Sequence, residues 1–156
     1  MADPTFRAVS AVATVPSSGN GSGTVNKPTG TVDGDYIFIV VINKANPFVA
    51  NAAPSGFGAA LLTKTNTTYQ AGFRIYSKVA SSEPSTYTLT ETSTGQPSQA
   101  FAISYSNPGG TPINASVVGS LENSVTTIAI PGLTTTATGK LIGLVAEYQA
   151  RAITLT

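Results

Sequence analysis

Tyr36-Ile37-Phe38-Ile39-Val40-Val41-Ile42 is apolar at every position. In a strand, successive side chains point to opposite faces, so this run offers water neither face and belongs in the middle of a covered sheet. It spans only about a third of the roughly 20 residues a membrane helix needs. Asp33-Gly34-Asp35 stands just ahead of it, a sequence suited to a tight turn.

Further strand signals lie on both sides. Phe6 to Thr14 (FRAVSAVAT) reads as a first strand, and the Gly/Ser-rich stretch from Val15 to Thr24 as a flexible loop behind it. Gly58 to Thr63 is a weaker strand candidate. Tyr69 to Val79 (YQAGFRIYSKV) alternates, with Phe73, Ile75, Ser77 and Val79 on one face and Arg74, Tyr76 and Lys78 on the other. Thr86 to Thr90 alternates with Tyr87 and Leu89 inward, and Phe101, Ile103 and Tyr105 share a face. Residues 125–130, 140–148 and 151–156 complete the set. Pro28-Thr-Gly, Pro54-Ser-Gly and Glu83-Pro84 are among the turn signals between them. Many short strands with Gly/Pro turns, and no stretch of helical periodicity, indicate an all-β antiparallel sandwich or barrel. The expected core is Ile37, Ile39, Val41, Phe73, Ile75, Leu89, Phe101, Ile103, Leu141 and Leu144. The expected division is an N-terminal arm over residues 1–27 and a β-sandwich over 28–156, or one continuous domain.

Composition narrows the function. Charged residues are 10% of the 156, against about 25% in an average globular chain, and the net charge is +1. Without clustered cations to displace counterions from phosphates, nucleic acid is not an expected partner. The chain has no cysteine and no histidine, which removes thiolate and imidazole chemistry, whether catalytic or metal-binding. The acids are Asp3, Asp33, Asp35, Glu83, Glu91, Glu122 and Glu147, and no pair forms a recognisable motif. Asp33 and Asp35 have no third acid nearby, so they read as turn residues rather than calcium ligands. Glu83 reads as an acceptor of backbone hydrogen bonds ahead of Pro84. Asn20, Asn66 and Asn114 match the glycosylation sequon, a match that a chain rich in Ser, Thr and Asn makes by accident. No catalytic, cofactor-binding or metal-binding residue is expected, nor a membrane partner. The opening Met1-Ala2-Asp3-Pro4-Thr5 lacks the basic and apolar regions of a secretory leader.

The turn and strand from Pro28 to Val41 (PTGTVDGDYIFIVV) resemble the opening of a group of tailed-bacteriophage structural proteins, in which P-x-G-x-x-x-G-D leads into an apolar strand. The resemblance continues through Pro54-Ser-Gly-Phe57, where relatives usually carry Trp in place of Phe57. It runs on through Lys78-Val-Ala-Ser-Ser-Glu83-Pro-Ser-Thr-Tyr87 and Thr134-Thr-Thr-Ala-Thr-Gly-Lys-Leu141, covering roughly residues 28–145. It implies a jelly-roll-like sandwich in a virion component made in the host cytoplasm, with no catalytic residues. The expected function is a capsid decoration or head-fibre subunit, docked on the major capsid protein or other virion proteins as a homo-oligomer, a trimer being favoured. Phe6, Val9, Val12 and Val15 in the N-terminal arm are the expected assembly contacts, because a strand on a Gly-rich tether pairs readily with a neighbour's sheet edge. The alternative is a tail-fibre or adhesin module binding host-surface glycan through Tyr69, Tyr76, Tyr87 or Tyr148.

Overall fold

A computed structural model describes residues 4–16, 21–43, 53–66, 71–90 and 97–106, with 116 and 134 as isolated positions. Eight strands run in order: β1 (Phe6–Val9), β2 (Ala13–Val15), β3 (Ser22–Asn26), β4 (Tyr36–Asn43), β5 (Leu62–Asn66), β6 (Ala71–Val79), β7 (Thr86–Thr90) and β8 (Ser98–Tyr105). All their pairings are antiparallel and no helix occurs among the described residues. The fold is all-β.

The apolar run forms β4, which lies between β6 and β8 in a six-stranded sheet ordered β1-β8-β4-β6-β5. β2 follows β1 along the same edge of β8. β3 and β7 form a second, two-stranded sheet. Its alternation is clean: Val25, Tyr87 and Leu89 are buried, while Thr24, Asn26, Thr86 and Thr88 face out. The inward three meet Ile37, Ile39, Val41, Tyr76, Ala100 and Ala102 of the large sheet in one core, giving a sandwich-like arrangement of two sheets.

Register assigns the faces. Ile37, Ile39 and Val41 lie opposite Lys78, Tyr76 and Arg74 on β6, and opposite Ser104, Ala102 and Ala100 on β8. Directly paired residues share a face. The inner layer of β6 is therefore the Arg74–Tyr76–Lys78 face, and the expectation that Phe73 and Ile75 pack with Ile37, Ile39 and Val41 is corrected. Phe73, Ile75, Phe101 and Ile103 line the opposite face, where Phe73 and Phe101 are only partly buried. Ile37, Ile39, Val41 and Leu89 are core residues as expected, each with no exposed surface, and Ile75 and Ile103 are also buried as expected, though on the opposite face of the sheet. Leu141 and Leu144 lie outside the described residues. Small side chains at Ala100 and Ala102 leave room for the rings of Tyr76 and Tyr87, both fully buried.

Two further expectations change. The first strand is two short ones, β1 and β2, with a register shift between Phe6 and Ala8. The loop expected from Val15 to Thr24 is shorter, because Ser22–Asn26 pairs with Thr86–Thr90 as β3. A Cβ at Gly23 would press on the Thr14 carbonyl and Val15 Cα, so glycine here lets the β3 backbone pass close against β2. β1 and β2 thus belong to the large sheet and β3 to the small one.

Ile39→Ala and Leu89→Ala should each cost about 3 kcal/mol or more in urea unfolding, because both empty fully buried positions. Phe73→Ala should cost less than either despite its larger side chain, a ranking that tests the face assignment directly.

Candidate functional site

Three glycines set the loops at one end of the sandwich. In Pro28–Thr31, Val32–Asp35 and Pro54–Phe57, the fourth residue's N–H donates to the first residue's carbonyl, at 3.3, 3.1 and 2.9 Å. The third residue is Gly30, Gly34 or Gly56, with φ of 78°, 91° and 80°. Positive φ at that position is the requirement of a type II turn, and glycine meets it without a Cβ clash.

The Val32–Asp35 turn docks on the segment that follows β6. Gly34 N–H donates to the Ala80 carbonyl (2.9 Å) and Ala80 N–H to the Asp35 carbonyl (2.7 Å). Asp33 Oδ1 accepts the Ser82 N–H at 2.8 Å, holding Ser82 at φ 50°, a left-handed conformation uncommon for serine. Asp35 Oδ2 accepts the Val32 N–H (3.0 Å), and its carboxylate pairs with the Arg7 guanidinium through Nε and Nη2, both at 3.2 Å. Asp33 and Asp35 are therefore committed to turn and strand anchoring, in agreement with the turn reading of the sequence. Among the described residues no three His, Cys, Asp or Glu side chains gather as a metal site.

Glu83 is the centre of a buried polar node. Its side chain is 2% exposed, its Oε1 lies 2.8 Å from Lys78 Nζ, and the same oxygen accepts the Ser81 N–H at 2.9 Å. Lys78 Nζ sits 5.3 Å from the centre of the Phe57 ring, a cation–π distance. Phe57 in turn meets Tyr87 edge to face at 5.4 Å. A Cβ on Gly56 would come within 2.9 Å of Lys78 Nζ, so the turn glycine also makes room for the ammonium. Burial alone would raise the Glu83 pKa. The Lys78 hydrogen bond, the Ser81 N–H, the Lys78 charge and the Tyr87 hydroxyl outweigh it and hold the carboxyl below its ordinary range. Burial, then the charge of Glu83, drives Tyr87 ionisation far upward. Neither the Tyr87 hydroxyl nor Glu83 Oε2 makes a well-formed hydrogen bond, so the node is not fully satisfied.

The node ties β6, the Pro54–Phe57 turn and β7 together. A general acid–base pair needs access to a substrate. Here the carboxylate is enclosed, its partner cation is locked to it, and the flanking groups are aromatic. The arrangement is that of a structural lock. Its members were legible in the sequence only as turn and strand residues, because Phe57 is brought to Lys78, Glu83 and Tyr87 by tertiary packing alone.

The expected assembly contacts divide. Phe6 and Val9 are each 53% exposed and Val12 62% exposed, all on or just after β1 at the sheet edge. Val15 is fully buried in the protein's own core with Val25 and Leu89, so its side chain is not available to a neighbour. Nor is the arm loosely tied. Ser10 N–H donates to the Ala102 carbonyl (2.8 Å), Ala102 N–H to Ser10 Oγ (2.9 Å), Ser106 N–H to the Thr5 carbonyl (2.8 Å), and Arg7 reaches Asp35. Of the tyrosines considered for sugar binding, Tyr76 and Tyr87 are 2% and 1% exposed, and neither offers a ring face to a ligand. Tyr69 and Tyr148 lie outside the described residues.

No protein-family model, curated protein or solved structure matches the chain. Among the described residues no helix is long and apolar enough to cross a membrane.

Glu83→Gln keeps an acceptor for the Ser81 N–H but strands the Lys78 ammonium, and should cost about 3 kcal/mol near neutral pH. Because the folded-state pKa of Glu83 lies below its unfolded value, its contribution is present above the ordinary carboxylate range. It is lost as pH falls through the folded pKa. The stability gap between parent and Glu83→Gln should therefore close in acid, as read by urea melts across pH. A gap that is constant with pH would show that the ion pair does not supply it.

Proposed function

We propose that this protein is a non-enzymatic bacteriophage virion component, a capsid decoration or head-fibre subunit that docks on and stabilises the particle. The observation that carries this reading is the exposed apolar set Phe6, Val9 and Val12 along the outer edge of the large sheet. An edge strand offers unpaired backbone groups, and natural proteins usually guard it with charge or proline. Here Arg7 is turned to Asp35, and the outward positions are Phe and Val. Exposed apolar groups on such an edge suit repeated docking against a neighbouring sheet or shell protein. A subunit that binds only the assembled shell stabilises it by mass action. The outward threonines of β3 and β7, and the low overall charge, are compatible with dense packing on a symmetric surface.

The sequence resemblance supports the same reading, and its motif residues between Pro28 and Tyr87 form the turns and polar node of the scaffold. The favoured assembly is a homo-trimer contacting the major capsid protein, with the virion as its location and a jelly-roll as the complete fold. Glycan recognition is the weaker reading, because the burial of Tyr76 and Tyr87 removes two of its four candidate platforms.

Deleting residues 2–16 would also remove Val15 from the core, so point substitutions are the cleaner test. A Phe6→Ser, Val9→Thr, Val12→Thr variant should change unfolding free energy by no more than about 1 kcal/mol. It should nevertheless lower the mass in solution and the occupancy on purified particles. Full occupancy and unchanged mass would overturn the proposal.

A further inference from the structure

Two buried polar atoms of the Glu83 node are left without partners. Glu83 Oε1 is fully used: it lies 2.8 Å from Lys78 Nζ and accepts the Ser81 N–H at 2.9 Å. Glu83 Oε2 and the Tyr87 hydroxyl oxygen are buried, and neither has a hydrogen-bond partner. The Glu83 side chain is 2% exposed and Tyr87 1%. A carboxylate oxygen withdrawn from water with no partner forfeits its hydration, and a hydroxyl does the same on a smaller scale. Both atoms belong to one node, so one cause can account for the pair.

The direct remedy, a bond from the hydroxyl to Oε2, is opposed by what holds the two groups. Tyr87 faces inward because β7 pairs with β3, where it lies opposite Val25, and its ring packs edge to face on Phe57 at 5.4 Å and 89°. The Glu83 carboxylate is oriented through its other oxygen by the Ser81 N–H and the Lys78 ammonium. Pro84 stiffens the backbone between them. The two groups are nevertheless neighbours: after burial, the charge of Glu83 is what drives Tyr87 ionisation upward. Adjacent groups with fixed orientations and unmet hydrogen-bonding capacity are the setting in which a water molecule bridges.

We propose that a single buried water molecule completes the node, accepting the Tyr87 O–H and donating to Glu83 Oε2. The chemistry of the two atoms selects water over an ion. Oε2 offers only lone pairs and the hydroxyl has a proton to give, so the bridging group has to donate on one side and accept on the other. A cation would be repelled by the Lys78 ammonium and an anion by the Glu83 carboxylate. Lys78 Nζ carries three protons and engages Oε1 at 2.8 Å, which makes it a further donor beside the same carboxylate. The bridge ties the segment after β6 to β7, so the small sheet is joined to the large one by a polar path as well as by the Phe57 ring. This inference does not rest on the virion reading.

A crystal structure of the full chain, at a resolution that shows ordered solvent, tests this directly. One solvent peak within hydrogen-bond distance of both Glu83 Oε2 and Tyr87 Oη, about 2.5–3.0 Å from each, is the expected result. A direct Oη–Oε2 contact in that range, with no peak beside it, overturns the inference. In solution, oxygen-17 relaxation dispersion of the solvent counts long-lived internal waters. The parent should show one more than Tyr87→Phe, which keeps the buried ring and removes only the hydroxyl. Equal counts overturn the inference as well, because the water would then not be held by Tyr87. Should Tyr87→Phe fail to fold, the crystal structure of the parent decides alone. Neither readout involves particle binding, so this proposal and the docking role fail independently.

Discussion

Everything in this fold follows from a central strand that cannot tolerate water on either side. β4 carries Ile37, Ile39 and Val41 on one face and Tyr36, Phe38, Val40 and Ile42 on the other. At about 25 cal/mol per Å² of apolar surface removed from water, leaving either row exposed would forfeit several kcal/mol, comparable with the whole stability of a domain. The strand is therefore flanked by β6 and β8, and its Ile37, Ile39 and Val41 face is covered by the inward side chains of β3 and β7. The polar groups that enter the inner face do so at its ends. Asn43 Nδ2 donates to Ser98 Oγ at one end, and Thr31 shares a hydrogen bond with Ser104 at the other. Each of these side-chain hydrogen bonds offsets part of the desolvation of the groups that make it.

The loops at the Thr31 end solve a second problem, which is to connect strands without losing backbone hydrogen bonds. The Val32–Asp35 turn closes on the Ala80–Glu83 segment, and two aspartates and one glutamate accept N–H groups of that segment or of the turn itself. The chain has few carboxylates, and three of them serve here. Their placement explains why the turn motifs of the sequence carry no evident chemistry: they specify how the chain turns. A motif of this kind speaks to the scaffold, and function has to be argued from the exposed surface instead.

Among the described residues, the small sheet presents threonine, serine and asparagine outward, and exposed apolar side chains gather along the β1 margin at Phe6, Val9 and Val12. A strand can be firmly bonded to its own sheet on one side and still present the other side to a partner. Phe6 and Val9 show the combination, because the hydrogen bonds to β8 and the Arg7–Asp35 pair fix the backbone from which they project. A preorganised edge loses less conformational freedom on docking than a free arm would.

The sequence by itself determined the strand class, the positions of β4, β6 and β7 within two residues, and the glycine turns, because alternation, β-branched composition and turn chemistry are local properties. It also showed that Arg74, Tyr76 and Lys78 share a face. Which face of β6 points into the core was decided only by tertiary structure. Phe73 and Ile75 are the more apolar pair, yet Tyr76 is the inward residue, since register with Ile39 and the space beside Ala100 and Ala102 admit its ring. When both faces of a sheet are apolar, a period of two cannot distinguish inside from outside. β3 was hidden for a related reason: Ser-Gly-Thr-Val-Asn has the composition of a loop, and it becomes a strand because β7 offers a complete edge and Gly23 lets the backbone approach β2. Val15 looked like part of an exposed arm for as long as β3 was missing, and the closing of the second sheet over it is what makes it core.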